Sequence, residues 1–205
     1  MRSTALRIGI GALAAIALTS PALAATEWQV RPFIGLTFGG GIPDSFPDVG
    51  GGQGRGRTKL VTGVNGGLLG EILGIDIDLA HAPGYFEVGT QSLVNSSSMT
   101  TFTGSVVVGV PKSRTIYTLR PYVLGGLGVV HAEYVDFLGL KPTLTRPAVD
   151  MGGGVTGFVS DRVGLNWDLR YFRSVGGDTD LQRDSLSQKR LSFWRANMAL
   201  VVKLR

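Results

Sequence analysis

Strict alternation of apolar and polar residues limits what this chain can fold into more than any other feature. Near the end of the chain, Trp194, Met198 and Leu200 fall on one face of an extended segment, while Arg195 and Asn197 fall on the other. A β-strand, in which side chains repeat every two residues, is the regular structure that keeps such sets apart. After residue 25 no window has a convincing helical period, so the pattern predicts an all-β protein.

Eight segments show this alternation, and the connections between them alternate in length. The candidate strands span 28–38, 60–69, 71–80, 101–110, 119–129, 149–156, 163–171 and 194–204. Long connections follow the first, third, fifth and seventh segments, and short turns follow the second, fourth and sixth. In an antiparallel up-and-down sheet the long loops then share one end and the short turns the other, as in membrane-spanning barrels.

Glycine supports the same arrangement, because the chain has 31 glycines where ordinary usage is about 7%. Many lie on the polar faces of the strands, at Gly35, Gly63, Gly67, Gly126, Gly128, Gly152, Gly154 and Gly164. In a narrow barrel such small residues let the wall curve and leave room for large charged ones. We therefore predict an eight-stranded antiparallel up-and-down transmembrane β-barrel with its apolar faces toward lipid. A soluble periplasmic barrel that binds an apolar ligand is the alternative, and it requires those faces to point inward.

The first residues have the order of a cleaved secretory signal peptide. Two arginines precede a short apolar run, which a proline and small residues follow, so we expect cleavage after Ala24 or Ala25. The run is shorter than the roughly 20 residues of a membrane-spanning helix. We predict a signal peptide at 1–25 and one barrel domain at 26–205, exported by the general secretory route.

Charge and cysteine content narrow the function classes. The formal net charge is +5, and the two arginines of the signal peptide supply part of it. Nucleic-acid binding therefore has little electrostatic support. The chain has no cysteine, so its stability must come from packing and backbone pairing rather than from disulfides.

One glycine cluster has the spacing of a dinucleotide-binding motif, at Gly152, Gly154 and Gly157. That motif must follow a strand and open a helix, whose N-terminus holds the phosphates. Here a short turn and another alternating strand follow instead. The glycines are therefore expected to shape the barrel wall, and the sequence predicts no cofactor.

Charged residues of both signs share the polar faces and are expected to line the lumen. They are Arg31, Asp76, Asp78, Arg120, Asp150, Asp168, Arg170 and Arg195. Because water is limited in so narrow a lumen, these groups are expected to pair with one another. We predict a structural ion-pair network in a plugged lumen, with a narrow channel as the alternative. No histidine and carboxylate set completes a metal site.

Aromatic residues on the apolar faces suit the interfacial girdles of a membrane barrel. The candidates are Trp28, Trp167, Tyr171 and Trp194. The alternative is that they are simply bulky residues that favour strands.

Three segments resemble the small outer-membrane β-barrel superfamily, which includes the outer-membrane protein A transmembrane domain, outer-membrane protein X and the opacity-type adhesins. They are 119–129, 152–172 and the closing strand 193–204. The resemblance implies a Gram-negative outer-membrane protein with a structural, adhesive or protective role. It also implies contact with outer-membrane lipid and lipopolysaccharide, and insertion by the barrel-assembly machinery. Members usually end in an aromatic residue, whereas this chain ends in Arg205.

We expect a non-enzymatic barrel that supports the envelope and displays its loops, since length and sequence variety concentrate in the loops. The loops expected to meet an extracellular partner span 40–57, 81–98, 132–146 and 174–189.

An outer-leaflet enzyme, such as a lipid A deacylase or acyltransferase, is the alternative function. The two histidines, His81 and His131, fall near the loop-bearing ends of their strands. A histidine base needs a nucleophile within hydrogen-bond reach, and Ser92 and the serines at 96–98 are near only in sequence. No serine and histidine spacing matches a catalytic motif, so the pattern favours solvated or interfacial histidines.

Overall fold

Six segments of the chain are described in this computed structural model. They are residues 27–39, 58–85, 94–115, 118–136, 143–175 and 191–204. The predicted signal peptide at 1–25 and the predicted loop at 40–57 lie outside these segments, as do Ser92 and Arg205. In the described segments no helix is long and apolar enough to cross a membrane.

The described residues form eight strands. These are β1 (Glu27–Phe38), β2 (Lys59–Leu69), β3 (Leu73–Pro83), β4 (Val94–Gly109), β5 (Leu119–Asp136), β6 (Thr143–Phe158), β7 (Val163–Ser174) and β8 (Ser192–Lys203). Each strand pairs antiparallel with the next one, and β8 returns to pair with β1, so the sheet is a closed barrel. The predicted all-β, eight-stranded up-and-down fold is confirmed.

The pairing register is staggered around the barrel. A row of directly paired residues starts at Trp28 on β1, crosses every strand and returns to β1 at Phe38, ten residues further along. Such a stagger tilts the strands relative to the barrel axis, which is the geometry that closes a sheet. Residues at equal depth are therefore offset from direct pairing by about one residue per strand.

Apolar side chains cover the outside of the barrel. Ile75, Val106 and Val123 are each more than half exposed, while Asp76 and Ser105 beside them are buried. In water so much contiguous apolar surface would be unfavourable, whereas in a bilayer it faces lipid. Closure of the sheet also pairs the backbone N–H and C=O groups along both edges of every strand, as a bilayer requires. The soluble alternative, which needs the apolar faces inward, is therefore wrong.

Four strands extend into the predicted loops at 81–98 and 132–146, and one of them, β3, continues to Pro83. β4 begins at Val94, β5 continues to Asp136 and β6 begins at Thr143, so the predicted loop boundaries at 81–98 and 132–146 were wrong. Their extra residues are mostly small or polar. Apolar alternation marks only the part of a strand that borders lipid, and these ends carry no such signal.

Close approach between neighbouring strands requires glycine at several inward positions, of which Gly128 and Gly154 are examples. A Cβ atom on Gly128 would collide with the backbone carbonyl of Phe102. A Cβ atom on Gly154 would lie 2.5 Å from the carbonyl oxygen of Trp167 and 2.7 Å from the hydroxyl of Tyr122. Since side chains compete for space inside a small barrel, these glycines make the room that their neighbours occupy.

Candidate functional site: the barrel lumen

A buried cluster of charges occupies the middle of the lumen. Arg170 on β7 donates hydrogen bonds from Nη2 to Asp76 on β3, at 2.8 Å, and to Asp168 on its own strand, at 3.0 Å. Arg31 on β1 forms a hydrogen-bonded ion pair with the other oxygen of Asp76. The side chains of Arg31, Asp76 and Arg170 are at most 2% exposed. Each charge is therefore neutralised by direct contact rather than by water.

A second set of contacts extends the cluster toward the loops. Arg195 on β8 donates from Nη2 to Asp78 Oδ2 at 2.6 Å and from Nη1 to the Thr101 hydroxyl at 3.2 Å. The Asn65 amide donates to Asp78 at 2.9 Å and to Asp76 at 3.3 Å. The two aspartates of β3 are thus held by partners from four other strands, β1, β2, β7 and β8.

Asp150 lies at the margin of this network. Its carboxylate accepts a hydrogen bond from the Ser105 hydroxyl, with separations of 2.9 and 3.2 Å to its two oxygens. Arg170 Nη1 is 3.9 Å away, too far for a hydrogen bond. Asp150 therefore has only a distant cationic partner, unlike Asp76.

Tyr122 and Asn166 join the charges to the turn end of the lumen. The Asn166 amide donates to the Tyr122 hydroxyl at 2.9 Å and to the Thr156 hydroxyl at 2.9 Å. The Tyr122 hydroxyl in turn donates to Asp168 at 3.4 Å. The polar lumen is thus one continuous network down to this depth.

Arg120 does not join the ion pairs, although the sequence grouped it with them. Its guanidinium donates to the backbone carbonyls of Gly70 and Glu71, both at 2.7 Å, and to that of Val110 at 3.0 Å. These carbonyls belong to the turns after β2 and β4. Arg120 is the second residue of β5, so its side chain reaches turn backbone rather than the central carboxylates. It binds two neighbouring turns together at this end of the barrel.

An aromatic cluster fills part of the lumen nearer the loops, and sequence reasoning missed it. The rings of Phe172 and Phe193 are buried and stacked, with centroids 4.9 Å apart and planes 10° from parallel. The Arg195 guanidinium lies 4.7 Å from the Phe172 centroid and 5.0 Å from that of Phe33. The signal was present, because each phenylalanine lies two residues from an inward arginine.

Tyr85, just after β3, packs against the loop side of this cluster. Its ring meets Phe193 edge to face at a centroid distance of 5.7 Å. Burial raises the pKa of the Tyr85 hydroxyl well above its ordinary value, so the residue stays neutral where it adjoins the phenylalanines. The cluster therefore continues beyond the strands.

The glycine motif at Gly152, Gly154 and Gly157 lies within β6, and β7 follows after a short turn. No helix begins there, so there is no N-terminus to hold a phosphate. Gly152 and Gly154 face the lumen, where a Cβ atom would meet the backbone of β7. These glycines serve close packing of strands.

The aromatic residues predicted for the girdles all lie on the outer face. Trp28, Trp167 and Trp194 are 57%, 44% and 39% exposed. Tyr171 packs beside Trp194 with ring centroids 5.0 Å apart. Trp28 lies at the turn end of the barrel, Tyr171 and Trp194 lie toward the loops, and Trp167 lies between these levels.

Both histidines are on the outer wall near the loops. His81 Nδ1 is 3.0 Å from the Thr100 hydroxyl. His131 lies between two groups, with Nδ1 2.7 Å from the Thr145 hydroxyl and Nε2 3.1 Å from Glu133 Oε1. Among the described residues, no three histidine or acidic side chains are grouped closely enough to hold a metal ion.

Comparison with known proteins gives matches in structure alone. No family model and no curated protein sequence matches the chain. Neisserial surface protein A aligns with 86% of this chain and 97% of its own, at a TM-score of 0.63 and 13% identity. The outer membrane protein OprG from Pseudomonas aeruginosa aligns with 88% of this chain and 97% of its own, at a TM-score of 0.53 and 14% identity. The chain therefore has the fold of the small eight-stranded outer-membrane β-barrels.

Proposed function

We propose that this chain is a non-enzymatic integral barrel of the Gram-negative outer membrane, with a plugged lumen. It supports the envelope and displays its long loops at the cell surface. The apolar outer wall and the two outer-membrane proteins that share the fold support this location. The sequence pattern of a signal peptide supports export.

One observation carries the plugged lumen: side chains span it from wall to wall. β3 and β7 are four strands apart in a ring of eight, so they face each other across the barrel. Arg170 from β7 nevertheless bonds Asp76 on β3 at 2.8 Å. Arg195 on β8 likewise reaches Thr101 on the opposite strand, β4. An eight-stranded barrel is just wide enough for its interior side chains to fill it.

Conductance in planar bilayers tests the plug. The refolded mature chain should insert without giving steady openings, because solutes would have to displace both the ion pairs and the phenylalanines. Large, stable openings would instead support the narrow channel. Arg31 Nε and Asp78 Oδ1 are among several buried polar atoms that lack a protein hydrogen bond. Water that enters the lumen would bind at these atoms first, so a channel would open there.

Location and display are tested in cells. The protein should fractionate with the outer membrane and migrate differently on gels before and after heating, as a closed detergent-resistant barrel does. Each long loop should be removable without loss of that shift, and removal of at least one should abolish surface binding. The role in display fails if binding is unchanged in every deletion. Partners at the loops, lipopolysaccharide contact and delivery by the barrel-assembly machinery remain parts of the proposal.

A second candidate function, an outer-leaflet lipid hydrolase, is favoured by the contacts of His131. Its ring links the Thr145 hydroxyl to the Glu133 carboxylate, an order typical of nucleophile, base and orienting acid. Nδ1 would accept the hydroxyl proton as the Thr145 oxygen attacks an ester carbonyl. The protonated ring would then return that proton to the departing alkoxide, and water activated in the same way would release the acyl group as a carboxylic acid.

This candidate ranks second because the described strands direct no backbone N–H group toward lipid, where it could stabilise the oxyanion. Strand N–H groups lie in the plane of the sheet and pair with neighbouring strands, so they do not point toward lipid. Mass spectra of lipid A from cells that express the wild type or His131→Gln decide the matter. Deacylated species that appear only with the wild type would establish the enzyme, and identical spectra would end it.

A further inference from the structure

The outer wall of β3 to β6 changes from apolar to polar within one row of residues. Leu79, Phe102 and Val129 are directly paired neighbours, and they are 47%, 50% and 40% exposed. This row borders lipid. The next outward row toward the loops contains no apolar residue.

We call that next row the histidine strip. Its members are Thr62, His81, Thr100, His131 and Thr145, paired in this order across β2 to β6. The side chains bond along the strip, His81 to Thr100 at 3.0 Å and His131 to Thr145 at 2.7 Å. The strip is therefore an ordered line of hydrogen-bonding groups directly above an apolar surface.

The depth of His81 in the strip matches that of aromatic residues on the other side of the barrel. With the register stagger of about one residue per strand applied, His81 lies at nearly the depth of Trp194. Trp194 packs against Tyr171 and is directly paired with Phe38, so three outward aromatic residues lie together at the loop end of β7, β8 and β1. Tryptophan and tyrosine at that position mark the boundary between acyl chains and headgroups. His81 is thus at headgroup depth. Because a directly paired row rises by about one residue per strand from β3 to β5, His131 lies about two residues nearer the loops, on the outer side of the same boundary.

The charge of the strip selects among headgroups. Glu133 stands on the loop side of His131, with a side chain 57% exposed, and its carboxylate would repel a phosphate. Among the outward residues described on β3 to β6, none is lysine or arginine. Hydroxyls, imidazoles and a carboxylate instead offer both donors and acceptors, which suits sugar hydroxyls. A phosphate would find its cation on the other side, at Arg173 of β7.

We propose that the histidine strip binds the sugar headgroup of a glycolipid in the leaflet on the loop side. The acyl chains lie against Leu79, Phe102 and Val129, and the sugar hydroxyls bond His81, His131 and Glu133. This inference rests on the proposed membrane location. It makes one wall of the barrel selective for a lipid, while the opposite wall is anchored by aromatic residues.

Native mass spectrometry of the full mature chain in detergent tests the site. The probes are glucosyl diacylglycerol, phosphatidylglycerol and phosphatidylcholine with identical acyl chains. The wild type should retain the glucosyl lipid over phosphatidylcholine by roughly fivefold, about the effect of one net hydrogen bond. The double variant His81→Leu/His131→Leu should lose that preference. The matched control Arg173→Gln, on the opposite wall, should weaken only retention of phosphatidylglycerol.

Three results would overturn the inference: no glucosyl preference in the wild type, an unchanged preference in the double variant, or a strip that prefers phosphatidylglycerol. The substitutions lie on the outer wall, so they should leave the barrel folded. Heat-dependent gel mobility of each variant checks this. If the wild type shows no heat-dependent shift, the proposed membrane barrel itself is contradicted. If it shows the shift but no preference for the glucosyl lipid, only the proposed lipid site at the histidine strip is contradicted.

Discussion

The lumen has two layers of opposite chemistry, and β1 and β7 contribute side chains to both. The charged layer consists of Arg31, Asp76, Asp78, Asp168 and Arg170, and it is stabilised by direct ion pairs. The aromatic layer consists of Phe33, Phe172 and Phe193, and it is stabilised by stacking and apolar burial.

Removing one partner from a buried ion pair leaves an uncompensated charge, whereas removing part of an apolar cluster leaves only a cavity. We therefore expect a substitution in the charged layer to destabilise the barrel more than a substitution in the aromatic layer. The ion pairs of the charged layer join β3 to β1, to β7 and to Arg195 of β8. The aromatic layer closes the loop side with less directional contacts.

The largest expected effect is that of Arg170→Met. Loss of the guanidinium removes a cationic hydrogen-bond donor from the buried carboxylates of Asp76 and Asp168. The substitution should lower the free energy of unfolding by about 3–5 kcal/mol. Urea unfolding in lipid vesicles, followed by tryptophan fluorescence, measures the change. The control Arg173→Met lies on the same strand but is exposed on the outer wall, and it should stay within about 0.5 kcal/mol of the wild type. Equal effects of the two substitutions would contradict a structural ion-pair network.

The next effect compares an aspartate inside the charged layer, Asp76, with one at the margin of the network, Asp150. Asp76→Asn weakens bonds to both Arg31 and Arg170 and should cost about 1.5–3 kcal/mol, the range for hydrogen bonds to charged groups. Asp150→Asn should cost less than about 1 kcal/mol, because its main bond is to the neutral Ser105 hydroxyl. The same unfolding assay ranks them. If Asp150→Asn proves the more destabilising, the assignment of Asp150 to the margin of the network is wrong.

A smaller effect is expected in the aromatic layer. Phe172→Leu keeps an apolar side chain but removes the stacking on Phe193 and the contact with Arg195, and should cost about 1–2 kcal/mol. Phe102→Leu, on the lipid-facing wall, is the control and should change stability by about 0.5 kcal/mol or less. A cost at Phe172 as large as that of Arg170→Met would remove the distinction between the layers.

The smallest effect is expected at the junction of the layers. Arg195→Lys keeps a charge near Asp78 but loses the planar group between the Phe33 and Phe172 rings, and should cost about 0.5–1 kcal/mol. In a Phe172→Leu background the same substitution should cost less, since one of the stacked rings is already absent. Strict additivity in this double-mutant cycle would show that Arg195 does not couple the layers.

Period-two alternation predicted the strands, their order and which face each residue occupies, but it did not predict depth or partners. Arg120 illustrates the limit: it is inward as expected, yet its place at the start of β5 puts it beside turn carbonyls. Phe172 and Phe193 show a second limit. The inward faces are polar on average, so alternation predicts a polar lumen and does not reveal a local group of inward phenylalanines. The extended ends of β4, β5 and β6 were missed since no lipid-facing pattern marks them.

The orientation of the strands is the claim on which everything else depends, and the three tryptophans report it directly. Single-tryptophan variants that retain Trp28, Trp167 or Trp194 can be refolded into vesicles of lipid brominated at different acyl-chain depths. All three should be quenched, with Trp167 most sensitive to bromine near the bilayer centre and the other two to bromine nearer the headgroups. If bromine at no depth quenches these tryptophans, they face the interior of the barrel, and the claim that the apolar faces point toward lipid is contradicted.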